Sequence, residues 1–171
     1  MRSVRWQGNL NSIQIINTGM KKTVSILLFS IVLLSCQKDE FVTPDYLIFG
    51  AIQGTCANGC RFVYYLDNTQ LLEDKTVKYF SKKDLSLFNT TVPEDKFLQA
   101  KDLLLKVPAS LTQTNRTLFV DLNASTPDLW YAEIRLKNRV YTWTFDNATG
   151  STPSYLKSFG DEMIRTAAII R

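Results

Sequence analysis

The sequence predicts an α+β domain: an antiparallel β-sheet with two helices packed on one face, in the order β-β-β-α-β-β-β-α. Three observations predict it. Residues 128–137 and 139–146 alternate apolar and polar side chains, the two-residue period of strands. Short polar turns join these and the earlier extended stretches, as hairpins do. Two segments, one behind Pro93 and one behind Pro153, switch to apolar spacings of three and four, the period of a helix with one buried stripe. Strands outnumber helices and follow one another through hairpins, which confines the helices to one face of the sheet.

Tyr46 to Ile52 is apolar and rich in aromatic and β-branched residues, so it reads as a buried strand. Gly54 to Cys60 turns around Asn58-Gly59, a pair that tolerates the two positive φ angles of a type I′ hairpin. Arg61 to Leu66 returns as the second strand. Asp67-Asn68-Thr69-Gln70 is a second turn, and Leu71 to Phe80 a third, more polar strand. Residues 81–89 read as a loop over the sheet.

Thr91-Val92-Pro93-Glu94 matches a capping box with an early proline. Phe97, Leu98, Lys101, Leu104 and Leu105 keep helical spacing until Val107-Pro108 stops the helix. Thr117 to Leu122 is a strand by composition. Asp128 to Lys137 sets Trp130, Ala132, Ile134 and Leu136 on one face, and Tyr131, Glu133, Arg135 and Lys137 on the other. After a turn at Asn138, Arg139 to Asp146 sets Val140, Thr142 and Thr144 against Tyr141, Trp143 and Phe145. A meander with one polar face is expected. Thr152-Pro153 opens the last helix, whose stripe of Leu156, Phe159, Met163, Ala167 and Ile170 is expected to pack on the sheet.

Ahead of this domain lies Met20-Lys21-Lys22, an apolar run from Val24 to Leu34, and Leu33-Leu34-Ser35-Cys36. Eleven residues at 1.5 Å each fall well short of a ~30 Å hydrocarbon core, so a permanent span is disfavoured. A buried core helix is disfavoured too, because the run is apolar all round and follows two lysines. The stretch resembles a bacterial lipoprotein signal peptide with its lipobox. That resemblance implies cleavage before Cys36, a diacylglyceryl group on its sulfur, acylation of its new amino group, and anchoring in the outer membrane of the cell envelope. Gln37-Lys38-Asp39-Glu40 resembles the tag of surface-exported lipoproteins in Bacteroidota; the plain alternative is a tether. The expected divisions are an over-extended start at 1–19, with Met20 as the true start, the signal peptide at 20–35, a flexible tether at 36–44, and the domain at 45–171. For 1–19 the alternative is a long basic leader.

The elements Gly54 to Cys60, Trp143 to Asp146 and Pro153 to Phe159 together resemble small uncharacterised lipoprotein domains of Bacteroidota, a likeness that implies no activity. Export would put Cys56 and Cys60 in an oxidising compartment, where the pair reads as a disulfide staple. The alternatives are a redox pair, for which three intervening residues is one too many, or half of a zinc site, for which two ligands are lacking.

The 20 basic residues exceed the 16 acidic ones by four, and Arg2, Arg5, Lys21 and Lys22 all precede Cys36. The mature part is therefore neutral and offers no argument for nucleic acid. The chain has no histidine, which removes Ser-His-Asp and Cys-His catalysis and the commonest metal ligand. No cofactor or metal site is expected. Membrane contact is expected through the lipid.

Three function classes remain. A carboxylate hydrolase would use acids beside strands, such as Asp121, Glu133 and Asp146. A non-catalytic binding module for protein or glycan would use exposed rings, for which Tyr64, Tyr141, Trp143 and Phe145 are the candidates. One form of it is an inhibitor of a lysozyme or protease that projects the Cys56–Cys60 hairpin. The bland alternative is that these rings complete the core. The third class is an accessory subunit of an envelope assembly. The binding module is preferred, and catalysis is not expected.

Overall fold

A computed structural model describes residues 40–53, 61–120, 128–146 and 152–171. Its centre is a seven-stranded, mostly antiparallel sheet. The strands are β2 (Tyr46–Gln53), β3 (Phe62–Leu66), β4 (Leu71–Glu73), β5 (Thr90–Thr91), β7 (Leu118–Phe119), β8 (Leu129–Leu136) and β9 (Arg139–Asp146). Their order across the sheet is β5-β4-β3-β2-β8-β9-β7. β1 (Phe41–Val42) and β6 (Val107–Pro108) form a separate two-stranded ribbon. Four α-helical segments complete the described fold: α1 (Tyr79–Lys82), α2 (Glu94–Lys101), α3 (Ser110–Gln113) and α4 (Ser154–Ile170).

The α+β class holds, and α2 and α4 are in contact with each other. The stripe expected on the last helix is its buried face: Leu156, Phe159, Met163, Ala167 and Ile170 are all at or below 2% exposure. They share one core cluster with Leu47 and Phe49 of β2, Ala132 and Ile134 of β8, and Trp143 and Phe145 of β9. Apolar burial on this scale dominates folding.

Gly50 shows how tightly the central strands meet. It lies opposite Val63 in the β2–β3 register, and a Cβ there would stand 2.1 Å from the Phe62 carbonyl oxygen. Only glycine permits that approach.

Several expectations are corrected. The third strand is Leu71–Glu73, and the chain turns at Asp74 into α1 instead of staying extended to Phe80. Asp74 causes this. Its carboxylate accepts from the Thr76 N–H (2.8 Å), the Thr76 hydroxyl (2.6 Å) and the Tyr79 N–H (2.9 Å), giving the backbone an alternative to the ladder. The residues read as a loop over the sheet do lie there, as α1 and a 3₁₀ turn at Leu85–Leu87. Thr91 belongs to β5, and Pro93 caps α2 without a side-chain bond, so no capping box forms.

The order of elements is longer than the eight expected, and β7 runs parallel to β9. The polar face is also corrected. Tyr131 and Glu133 of β8 are buried in or beside a second cluster with Tyr46, Ile48, Val63, Tyr79 and Phe88. Part of the expected tether is pinned: Ala109 donates to the Glu40 carbonyl (2.7 Å), and Phe41–Val42 pairs with Val107–Pro108.

Candidate functional site

Glu133 is a buried acid of β8, on the face opposite α4, and three tyrosines converge on it. Tyr46, at the start of β2, donates to its Oε1 (3.1 Å), and so does Tyr79 of α1 (2.7 Å). Tyr131, two residues before it on β8, donates to Oε2. Lys83 closes the cluster: its Nζ lies 2.5 Å from the Tyr131 hydroxyl and 3.9 Å from Oε2. Three elements build this nest. β8 supplies Tyr131 and Glu133 by its two-residue alternation, while α1, held by Asp74, delivers Tyr79. Lys83, in the left-handed region at φ 54°, ends α1 and returns its N–H to Tyr79. Val77, at φ 52°, is the strained entry to α1, since a β-branched residue rarely adopts that conformation.

The electrostatics follow from this enclosure. Burial, then hydrogen bonding and the charge of Glu133, push the Tyr79 and Tyr131 hydroxyls well above the ordinary tyrosine range. Burial and Glu133 raise Tyr46 to about 12. Burial lowers Lys83, against the pull of Glu133. For Asp74, burial pushes the carboxyl up, but its bonds from Thr76 and Tyr79 outweigh that and hold it below the usual range. The nest can hold a buried charge with both oxygens satisfied, as burial demands.

Of the other acids singled out, Asp146 is fully buried at the end of β9 and Asp121 lies outside the described residues. Cys36, Cys56 and Cys60 lie outside them as well, and with them the lipid, staple and projecting-hairpin expectations. Among the described residues no group of three or more histidines, cysteines or acids is placed to hold a metal, and no helix is long and apolar enough to cross a membrane.

The four candidate rings are placed otherwise than a free aromatic surface requires. Tyr64, Trp143 and Phe145 are buried in the main core. Tyr141 is half-buried and stacks on Trp143 with centroids 6.2 Å apart. Period-two alternation turns the odd residues of β9 toward α4, so these rings complete the core.

The first half of β9 is the part left open: Arg139 and Val140 are exposed, and Tyr141 and Thr142 half-buried. The Thr144 N–H donates outward to the Thr117 carbonyl (2.8 Å), away from β8. By alternation the main-chain groups of Val140 and Thr142 also point outward. Among the described residues β7 pairs only with Thr144 and Phe145, so Arg139–Thr142 is an open strand edge. Val140 (54%) and Leu118 (50%) are exposed apolar residues beside it. Arg135, Lys137 and Arg139 crowd the β8–β9 hairpin tip, and Arg116, its Nε bonded to the Leu118 carbonyl (2.8 Å), stands beside β7. Sequence reading placed Val140 and Thr142 on the right face. A strand is expected over Thr117 to Leu122 and β7 lies within it, but its parallel pairing with only two residues of β9, which leaves the edge, carries no local signal.

The class these observations define is an α+β domain with a mostly antiparallel seven-stranded sheet, a buried tyrosine–glutamate nest and one cationic open edge. No family model, no curated protein and no solved structure matches the chain.

Proposed function

We propose that the chain is a lipid-anchored protein of the cell envelope, held at the outer membrane through Cys36, and a non-catalytic binding module. Its ligand is an extended acidic segment of another protein, added as a strand to the open edge of β9. The observation that carries this reading is the edge Arg139–Thr142, unpaired among the described residues and set among four cations. Strand addition takes its affinity from main-chain bonds and its selectivity from flanking side chains. Here Val140 and Leu118 offer apolar contact, and Arg116, Arg135, Lys137 and Arg139 favour alternating acids on the incoming strand. The Glu133 nest supports the non-catalytic part, because both carboxylate oxygens are already committed to tyrosine hydroxyls.

A labelled octapeptide alternating valine and glutamate tests the reading by fluorescence anisotropy with the purified chain. Saturable binding that weakens with salt and is lost in Arg139→Glu is expected. Equal binding of the valine–lysine counterpart, or none of the acidic peptide at millimolar concentration, overturns it. Inhibition of a lysozyme or protease without such binding would favour the inhibitor reading instead.

A further inference from the structure

We infer that the surface around Phe41, Leu105 and the groove beneath them rests on the lipid bilayer, so that the domain lies helix side down with the Val140 and Thr142 side chains on the opposite sheet face. The inference rests on the proposed lipidation of Cys36 and adds to it a membrane-contacting face.

The groove is built where the chain enters the domain. Phe41, Pro108, Tyr155 and Phe159 line a cavity of about 340 Å³, with Lys106 and Glu162 at its rim. The rim charges are matched: Lys106 Nζ lies 2.5 Å from Glu162, which Arg165 also contacts. Phe41 is 54% exposed, and Leu105, at the end of a 3₁₀ turn (Asp102–Leu105) packed against β1, is 59% exposed. Two large apolar side chains stand proud beside a groove that none of the described residues fills. Val42 and Val107, their neighbours on the β1–β6 ribbon, pack into the core shared with α4, so this surface belongs to the helix-covered side of the sheet.

The leash decides the occupant. The Ala109 N–H fixes Glu40 at the domain surface, and only four peptide steps separate Glu40 from Cys36. Four residues reach at most about 14 Å. A domain of about 130 residues has a radius of gyration near 14 Å and is more than twice that across. An acyl group on Cys36 therefore holds Glu40, the residue before Phe41, within one leash-length of the headgroups, and the domain cannot turn its far side to the membrane. Exposed phenylalanine and leucine brought permanently to that depth enter the headgroup–acyl boundary, as apolar faces of peripheral proteins do. A protein partner at the groove would have to compete with a bilayer that is always present.

The test uses the full lipidated chain in phosphatidylethanolamine–phosphatidylglycerol vesicles with brominated acyl chains. Phe41→Trp, Leu105→Trp and Val140→Trp are compared with the unsubstituted protein, whose Trp130 and Trp143 give the background. Insertion to ~5–10 Å predicts that the added emission at positions 41 and 105 falls by about half, while that at 140 is unchanged. Two positions are probed so that one poorly folded variant leaves the other to decide. Equal quenching at 41 and 140, or none at 41 and 105, overturns the inference. Mass spectrometry of the same samples separates the two readings. Acylated protein without quenching rejects this orientation alone, whereas an unacylated Cys36 rejects the anchor and the orientation together.

Discussion

Glu133 is where single residues decide most. A buried carboxylate is tolerable only while its oxygens keep their donors, and removing one partner costs more than the bond contributes. Tyr79→Phe deletes the 2.7 Å bond and is expected to cost about 1–3 kcal/mol in urea unfolding. Glu133→Ala strips three hydroxyls of their acceptor and should cost about 3 kcal/mol or more. If both variants unfold at the wild-type midpoint, the nest does not contribute to stability. The same tyrosines set an alkaline limit. Their folded-state pKa values lie above the ordinary 10, so their stabilisation is complete below pH 10. It is lost as pH rises toward about 12, where Tyr46 ionises in the folded state, because the unfolded chain gives up these protons first. Absorbance at the phenolate band should rise together with loss of near-ultraviolet circular dichroism between pH 10 and about 12. Phenolate absorbance completed near pH 10 in a still-folded protein would contradict this. Little of the nest was legible beforehand: Tyr131 and Glu133 were read as a solvated face, because alternation says which residues share a face but not what covers it.

At the scale of elements, the legible parts were those with strong periodicity. β8, β9 and α4 lie where their spacing predicts, and the α4 stripe is buried residue for residue. The missed parts were short and governed by side-chain bonds or distant partners. Asp74 diverts the third strand through local hydrogen bonds, and the strand expected at Thr117 to Leu122 shrinks to a two-residue β7 whose parallel pairing depends on β9. α1 has four residues and no periodicity to find. The hairpin residues between β2 and β3 lie outside the described residues, but the pairing of those strands is as expected. That pairing gives a sharp prediction. Gly50→Ala drives a methyl group into the Phe62 carbonyl and must push β2 and β3 apart, at a cost of about 2–4 kcal/mol. Unchanged thermal stability of this variant would mean that the central ladder is looser than described.

For the whole molecule, the two proposals fall on different parts of the sheet. One face carries α2 and α4 and the groove near the point of chain entry; the other carries the Glu133 nest and, beyond it, the open half of β9. Of the rings singled out on β9, Trp143 and Phe145 lie in the core, while Val140 of the same strand is exposed and Thr142 half-buried. Neutrality of residues 36–171 hid a local excess of charge, because composition averages over the surface that the β8–β9 hairpin concentrates. A binding role then depends on four outward main-chain groups, each of which contributes only about 0.5–1.5 kcal/mol when paired. Recognition at this edge is therefore expected to be weak unless the cations and exposed apolar residues add to it. Amide hydrogen exchange of Val140 and Thr142, followed by NMR with and without the valine–glutamate octapeptide, tests that claim most directly. Both amides should exchange quickly in the free chain and slow at least about tenfold when the peptide is bound, as strand-paired amides do. Exchange at these two positions that is already slow, or unchanged by saturating peptide, would contradict it.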